Sequence, residues 1–200
     1  MIVEDCTFDS NRQGVALLSG ATAKITGPSF ANTGLRTDDQ NLLYYSQTIS
    51  AAGTGTKAEV SQTIIKSSVQ RGLNIVEGAM LEMEDCQVSD GLAAGLGVGV
   101  EGKPRCEVSA IRCQFTNNAV NGITIRAASF VRLVDSFVTG NGKKGISLQG
   151  DKTALLAENC DISYNQSCGV ISSGEGFGTV ISTRLTGNRY SAQAGASDDA

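Results

Sequence analysis

The fold of this chain is decided by residues 113–125, which read Cys-Gln-Phe-Thr-Asn-Asn-Ala-Val-Asn-Gly-Ile-Thr-Ile. The first half of this phrase recurs along the chain: a small residue is followed two positions later by an apolar anchor, and in the fullest forms by an asparagine three positions after the anchor. The apolar anchors are Phe8, Phe30, Ile65, Val88, Phe115, Val138, Ile162 and Leu185. Successive anchors are mostly about 22 to 27 residues apart, a period typical of proteins built from stacked repeats.

Each repeat carries three short segments in which apolar residues alternate with other residues. The segment after the anchor begins with glycine, as in Gly122-Ile-Thr-Ile125, and the segment before the anchor is exemplified by Val131-Arg-Leu133. Alternation with a period of two indicates a strand. No window of ten residues keeps the spacing of a helix, and leucine is too sparse for leucine-rich repeats. The sequence therefore predicts an all-β solenoid, a single-stranded parallel β-helix of about eight turns with three short strands in each.

The composition excludes several classes of function. The 200 residues contain no histidine, which removes the usual general base, the usual metal ligand and every Ser–His or Cys–His catalytic pair. The net charge of −4 comes without a basic cluster, so we expect no nucleic-acid partner. No apolar stretch approaches the roughly 18 residues of a membrane span, so we expect no membrane partner. We also expect no cofactor, no metal site and no catalytic residues.

Four of the six cysteines fall in one column of the predicted repeat. Cys6, Cys86, Cys113 and Cys160 each lie two residues before an anchor, and residues of equal parity in a strand point to the same side. Because the anchors point inward, we expect buried thiols that pack as small apolar side chains. Only Cys86 and Cys113 lie in adjacent turns and could form a disulfide. Reduced thiols favour a cytoplasmic or otherwise intracellular location.

Asparagine follows the anchor by three residues in the last four repeats. These residues are Asn118, Asn141, Asn165 and Asn188. Asparagine tolerates left-handed turns, and its amide can hydrogen-bond to the same group in the turns above and below. The column predicts a structural asparagine ladder, and the alternative is a row of amides that binds a ligand.

Charged side chains supply two candidates for a binding surface. Arg112 shares a column with Asp85 and Asp135, which indicates either a surface ladder of opposite charges or a site for a substrate carboxylate. Lys143 and Lys144 form a basic turn, which is either part of a binding surface or a solvated corner.

One departure from the repeat supplies a third candidate. We expect a β-helix domain over residues 1–190, interrupted by a long loop at 36–56 and followed by a flexible tail at 191–200. The loop contains Tyr44 and Tyr45, and an exposed pair of tyrosines suits contacts with sugars or with proteins. Loops on a rigid scaffold commonly carry binding residues, although this loop could instead pack onto the flank of the solenoid.

The repeat phrase, Cys-x-Phe/Val/Ile-Thr/Ser-x-Asn followed by Gly-Ile-x-Ile, resembles the right-handed parallel β-helix repeats of the pectate-lyase-like superfamily. The resemblance covers residues 1–190, is strongest to carbohydrate-binding and sugar-hydrolase type repeats, and implies a right-handed solenoid. Polygalacturonases and alginate epimerases are similar in fold but use motifs that contain histidine, which this chain lacks. Pectate lyases use carboxylates that hold calcium and an arginine base. The best stacked pair of acids here is Glu59 above Glu82.

These observations predict a non-catalytic repeat domain that binds or scaffolds protein partners, alone or in a larger assembly. The prediction rests on a regular structural repeat without a catalytic constellation. The alternative is a carbohydrate-active domain that binds or cleaves acidic polysaccharide in the manner of a pectate lyase. One scaffold hosts many activities, so the fold does not decide between the two.

Overall fold

The computed structural model describes residues 1–34 and 47–195, which contain 22 strands, numbered in chain order and arranged in three sheets. The first sheet comprises β1 (Ile2–Glu4), β4 (Thr22–Thr26), β7 (Lys57–Ser61), β10 (Met80–Glu84), β13 (Glu107–Ile111), β16 (Phe130–Val134), β19 (Ala154–Glu158) and β21 (Phe177–Ile181). The second comprises β2 (Thr7–Asp9), β5 (Ser29–Ala31), β8 (Ile64–Lys66), β11 (Gln87–Ser89), β14 (Gln114–Thr116) and β17 (Phe137–Thr139). The third comprises β3 (Val15–Leu18), β6 (Ile49–Ala52), β9 (Leu73–Val76), β12 (Leu96–Val98), β15 (Ile123–Arg126), β18 (Ile146–Gln149), β20 (Cys168–Ser173) and β22 (Tyr190–Ala194).

Each strand pairs in parallel with its counterpart one turn further along the chain. The predicted anchors are in register, because Val88 pairs with Phe115 and Phe115 pairs with Val138. In the last two turns the second sheet continues only as isolated bridges from Phe137 to Asp161 and on to Arg184. The predicted all-β solenoid of about eight turns, with three strands per turn, is confirmed.

The core runs along the solenoid axis and is filled from all three sheets. Alternation decides which side chains enter it: in β16, Val131 and Leu133 are fully buried whereas the flanking residues are partly exposed. The large anchors Phe30, Ile65 and Phe115 are at most 1% exposed. Burial of each large apolar side chain contributes roughly 1.5 to 3 kcal/mol, so these columns supply the main force that holds the turns together.

The asparagine column is a structural ladder, as the repeat predicts. The Nδ2 atom of Asn118 donates to Oδ1 of Asn141 at 3.1 Å, and Nδ2 of Asn141 donates to Oδ1 of Asn165 at 2.9 Å. Nδ2 of Asn165 continues the series to Oδ1 of Asn188 at 3.0 Å. Each Nδ2 also donates to a carbonyl of the preceding turn, for example Asn141 to Phe115 O at 3.0 Å. The amides are therefore used internally, in the turn between the second and third sheets.

The structure differs from the expected boundaries at two places. Residues 49–52, which the sequence assigned to the 36–56 loop, form β6 and pair with β3 and β9 of the third sheet. Most other third-sheet strands begin after a glycine and contain branched apolar residues. Ser50, Ala51 and Ala52 have small side chains instead, so the sequence pattern did not indicate a strand here. At the other end, β22 continues the third sheet to Ala194, beyond the expected boundary at residue 190.

The cysteine column is buried with one exception. Cys86, Cys113 and Cys160 are at most 4% exposed, and all are free thiols. Cys6 is exposed, contrary to the expectation for this column, because no described strand stacks on the free side of β1 and β2. Inward position alone therefore does not bury a residue in the first turn.

Candidate functional site

The outer face of the first sheet divides into two halves of different chemistry. We call the outward polar residues of β4, β7 and β10 the charged half; its members include Lys24, Lys57, Glu59, Ser61, Glu82 and Glu84. We call the outward apolar residues of β16, β19 and β21 the apolar half; its members are Phe130, Val134, Ala154, Leu156, Phe177 and Ile181. Both halves lie on one continuous sheet.

The charged half forms a shallow groove of about 450 Å³ in which opposite charges are paired. Glu59 and Glu82 are partners across β7 and β10, as the sequence predicts, and Nζ of Lys57 lies 2.9 Å from one carboxylate and 3.0 Å from the other. Hydrogen bonds to both carboxylates raise the pKa of Lys57, and the bond from Lys57 lowers the pKa of Glu59. Both stacked acids are therefore paired with a single lysine of the same face.

Arg112 lies at the edge of this groove and binds two carboxylates of the preceding turn. Its Nε donates to Oδ1 of Asp85 at 2.7 Å, and its Nη2 donates to Oδ2 of Asp85 at 3.1 Å and to Glu84. The hydrogen bond to Asp85, and after it the bond to Glu84, raise the pKa of Arg112 above its ordinary value. The bond from Arg112 in turn lowers the pKa of Asp85. The geometry favours the charge ladder for Arg112, since its guanidinium already holds carboxylates of this chain. Asp135 shares the column but is not among its partners.

Replacing Arg112 with glutamine tests this pairing. We expect the pKa of Asp85 to rise toward its ordinary value near 3.8 in R112Q, because the hydrogen bond from Arg112 is what lowers it. A group whose folded-state pKa is lowered stabilises the fold above its unfolded pKa and loses that effect as the pH falls. The variant and the wild type should therefore differ in stability near neutral pH and converge in acid. Carbon-13 NMR titration of the Asp85 carboxyl measures the shift.

The matched control is Arg105→Gln, in the turn that precedes β13. Arg105 pairs with Glu107 at 3.1 Å and does not contact Asp85. The pKa of Asp85 should be the same in R105Q as in the wild type. An unchanged titration of Asp85 in R112Q would show that the ion pair does not form in solution.

The groove does not present its acids as a set of metal ligands. Among residues 1–34 and 47–195, no group of three or more histidine, cysteine, aspartate or glutamate side chains is placed to hold a metal ion. Calcium prefers six or more oxygen ligands from clustered carboxylates and carbonyls. The carboxylates of this face contact Lys57 and Arg112 instead.

The apolar half exposes large side chains to solvent. Phe177 is 64% exposed and Ile181 is 46% exposed, and both belong to β21. Arg132 and Glu158 lie among the apolar residues and form an ion pair of 3.0 Å with each other. An apolar patch bordered by paired charges is typical of a surface that binds another macromolecule.

The structure separates the remaining sequence candidates. Lys143 is exposed, whereas Lys144 is only 6% exposed and its backbone N donates to Oδ1 of Asn121 at 3.1 Å. The basic turn therefore presents one ammonium group on the surface rather than two. Tyr44 and Tyr45 lie outside the described residues.

The structure contains a second cleft that the sequence did not predict. It has a volume of about 710 Å³ and lies against the third sheet; its lining includes Arg71, Gly99, Glu101, Lys103, Arg126, Gln149 and Asp151. The sequence carries one signal of it: the step from Val88 to Phe115 is longer than the steps before and after it, because residues 99–106 form an enlarged turn. We call this feature the third-sheet cleft.

The parallel three-sheet solenoid, with its internal asparagine ladder, defines a β-helix repeat protein. The profile of the family described as "Right handed beta helix region" matches residues 47–199, and the chain belongs to this family. No curated protein matches the sequence significantly. The described residues contain no helix long and apolar enough to cross a membrane.

Two solved structures are similar to the chain. One is the A-module of the mannuronan C-5 epimerase AlgE6 from Azotobacter vinelandii, with 13% identity and a TM-score of 0.47 over 86% of this chain and 58% of that one. The other is the periplasmic alginate epimerase AlgG, with 11% identity and a TM-score of 0.43 over 91% of this chain and 61% of that one. The chain thus spans about three fifths of the length of each.

Proposed function

We propose that this protein is a non-catalytic binding module that docks a protein partner on the outer face of its first sheet. The observation that carries the proposal is the apolar half, where six of the nine outward positions of β16, β19 and β21 are apolar. Soluble proteins rarely expose a contiguous apolar patch of this kind unless it has a binding role. The partner is expected to present a complementary apolar surface with charged groups at its margin.

The dimensions of the face suit a protein partner. Eight strands spaced about 4.8 Å apart make a surface roughly 34 Å long, and five residues per strand make it roughly 16 Å wide. Its flat area is therefore on the order of 500 Å², before the relief of the side chains is counted, against about 800 Å² that one partner contributes to a standard interface. The charged half adds polar margin to the apolar half, as interfaces require.

Charge introduced at Phe177 tests the proposal. We expect F177E to lose at least 90% of the partner that the wild-type protein retains in an affinity capture from the source organism, because a carboxylate would have to be desolvated against an apolar surface. F137E is the matched control: Phe137 is 48% exposed, but it lies on the second sheet. A partner lost equally from both variants, or retained equally by both, would contradict docking on the first sheet.

The groove of the charged half favours a second function, the binding or cleavage of acidic polysaccharide. It combines the carboxylates of Glu59, Glu82 and Glu84 with the guanidinium of Arg112, the residue types that a lyase acting on polyuronate needs. The ion pairs within the groove argue against cleavage, because the arginine is already bound to acids. Release of unsaturated products from polyuronate, followed by ultraviolet absorbance with and without calcium, decides the point; we expect none.

A further inference from the structure

The third-sheet cleft is formed where the solenoid departs from its regular turn. The turn between the third and first sheets is three residues long at 77–79 and at 127–129, but residues 99–106 fill the same position between β12 and β13. Residues 99–103 of the enlarged turn line the cleft together with residues 126–128 and 149–151 of the next two turns of the solenoid. The cleft lies on a different sheet from the face proposed to dock a protein.

A glycine makes room for an arginine at the floor of this cleft. Gly97 is buried at an outward position of β12, and its neighbours in register are Asn74 and Thr124. A Cβ on Gly97 would lie 2.5 Å from Cδ and 2.7 Å from Nε of Arg71, so the arginine side chain rests directly on the glycine backbone. Nη1 of Arg71 donates to Oδ1 of Asn74 at 2.7 Å, which fixes the half-buried guanidinium in this slot.

A second guanidinium enters the same cleft from β15. Arg126 is exposed, and its Nε donates to Oε1 of Gln149 at 2.5 Å. Burial, and then the positive charge of Arg126, lower the pKa of Arg71. Two like charges that approach each other in a partly buried cleft repel, and an anion between them would relieve the repulsion.

Arg71 and Arg126 have different partners from the four arginines that form ion pairs. Four arginines elsewhere form ion pairs with carboxylates: Arg105, Arg112, Arg132 and Arg184. Within the part of the chain that the structure describes, Arg71 and Arg126 have only neutral amide oxygens as hydrogen-bond partners. The remaining N–H groups of both guanidiniums are available to a ligand, and paired guanidiniums match the geometry of carboxylates and phosphates.

We propose that the third-sheet cleft binds the carboxylate or phosphate group of a small organic molecule between Arg71 and Arg126. A volume of about 710 Å³ is in the range of small-molecule sites. Glu101 and Asp151 also line the cleft, so the ligand carries a single anionic group and uses hydroxyl groups, which can donate to these carboxylates, at its other end. Lys103 adds little positive charge here, because it pairs with Glu77 at 3.2 Å.

The test is an NMR titration of the full chain with four probes at matched ionic strength. Gluconate carries a carboxylate, glucose 6-phosphate and inorganic phosphate carry a phosphate, and glucose carries no charge. We expect saturable shifts of the Gly99 and Gly102 amides with gluconate, with glucose 6-phosphate or with both, and none with glucose. The probe that binds identifies the preferred group. If inorganic phosphate alone binds, or if no probe at 10 mM shifts these amides more than sodium chloride does, the proposal is overturned.

Three variants connect the binding to the two arginines. R126Q should weaken binding by at least tenfold, since an exposed residue can be replaced with little effect on folding. Gly97→Ser should do the same by filling the slot of Arg71, and its circular dichroism spectrum and melting temperature report whether the fold is kept. R132Q is the matched control, because Arg132 is an arginine of the first sheet. Equal affinities of R126Q and the wild type, or an equal loss in R132Q, would refute the site; neither result would bear on docking at the first sheet.

Discussion

Replacing Asn141 with alanine is expected to lower the free energy of unfolding by about 3 to 5 kcal/mol. The side chain is fully buried, and its Oδ1 accepts hydrogen bonds from the backbone N and from Nδ2 of Asn118, both at 3.1 Å. Its Nδ2 donates to Phe115 O and to Oδ1 of Asn165. The alanine variant leaves the backbone N of Asn118 without its acceptor and removes one of the two hydrogen bonds made by Nδ2 of Asn118 and by Oδ1 of Asn165. A buried polar group left unsatisfied costs about 1 to 3 kcal/mol, and the cavity left by the side chain adds to the loss. Denaturation in urea measures the change.

The matched control for this prediction is Gln114→Ala. Gln114 also carries a side-chain amide and lies in β14, one turn earlier, but it is exposed on the second sheet. Its replacement should change stability by no more than about 0.5 kcal/mol. Similar midpoints for N141A and Q114A would show that the ladder is not a stabilising element. A loss confined to N141A would show that hydrogen bonds between turns add to the apolar stacking, as expected when each turn is stabilised by its neighbours.

The sequence was sufficient to predict the solenoid because its signals are local and repeated. Phe115 and Val138 occupy the same position in successive repeats, 23 residues apart, and they are partners in the parallel pair of β14 and β17. Asn118 and Asn141 indicate the ladder correctly, but the left-handed residue is the one before each of them, Asn117 with φ 56° and Gly140 with φ 69°. In a parallel stack, residues that are one repeat apart in the sequence lie above one another in neighbouring turns. A constant repeat length is therefore enough to predict which residues pair.

The apolar half and the third-sheet cleft could not be predicted in the same way, because they depend on side chains that meet across turns. Arg71 reaches the third-sheet cleft only because Gly97, on the next strand, has no side chain. Nothing in the residues around Arg71 indicates this slot. The apolar half is similar: Phe130 and Phe177 share one outward column with Ala154 between them, and only the register shows that they form a common surface.

Strand β6 lies within the range 36–56 that the sequence predicts as a loop, because its residues show only a weak strand pattern. Ile49 pairs with Leu73, and Ala51 pairs with Ile75, so β6 occupies an ordinary place in the third sheet. Alanine and serine at these positions weaken the alternation that identifies a strand. Tertiary stacking on both sides overrides the local preference, which is the usual reason that short strands with small residues escape detection.

The glycine that precedes β9, β12, β15 and β18 in the third sheet leads to the second large effect. The ideal Cβ positions of Gly72, Gly95, Gly122 and Gly145 all point at the carbonyl oxygen of the equivalent residue in the next turn, at 2.9 Å or less. None of these four has a positive φ. At these four positions glycine is therefore favoured by the close approach of the turns rather than by backbone conformation, whereas the turn that contains β6 has Thr48 in the same column.

Gly145→Ala should destabilise the protein by about 3 kcal/mol. The added Cβ would lie 2.5 Å from the carbonyl oxygen of Gly169, 2.8 Å from Nδ2 of Asn165 and 2.8 Å from Cγ2 of Ile162. Two of these are groups of the ladder and the stacked backbone, so relief requires that adjacent turns separate, and overpacking of this kind typically costs about 1 to 3 kcal/mol or more. Gly178→Ala is the matched control, because it also lies in a strand but its Cβ would meet no atom within 4 Å. G178A should be neutral or slightly stabilising, since alanine restricts the unfolded chain. If G145A unfolds at the same denaturant concentration as G178A, the turns are not packed as closely as the glycine column implies.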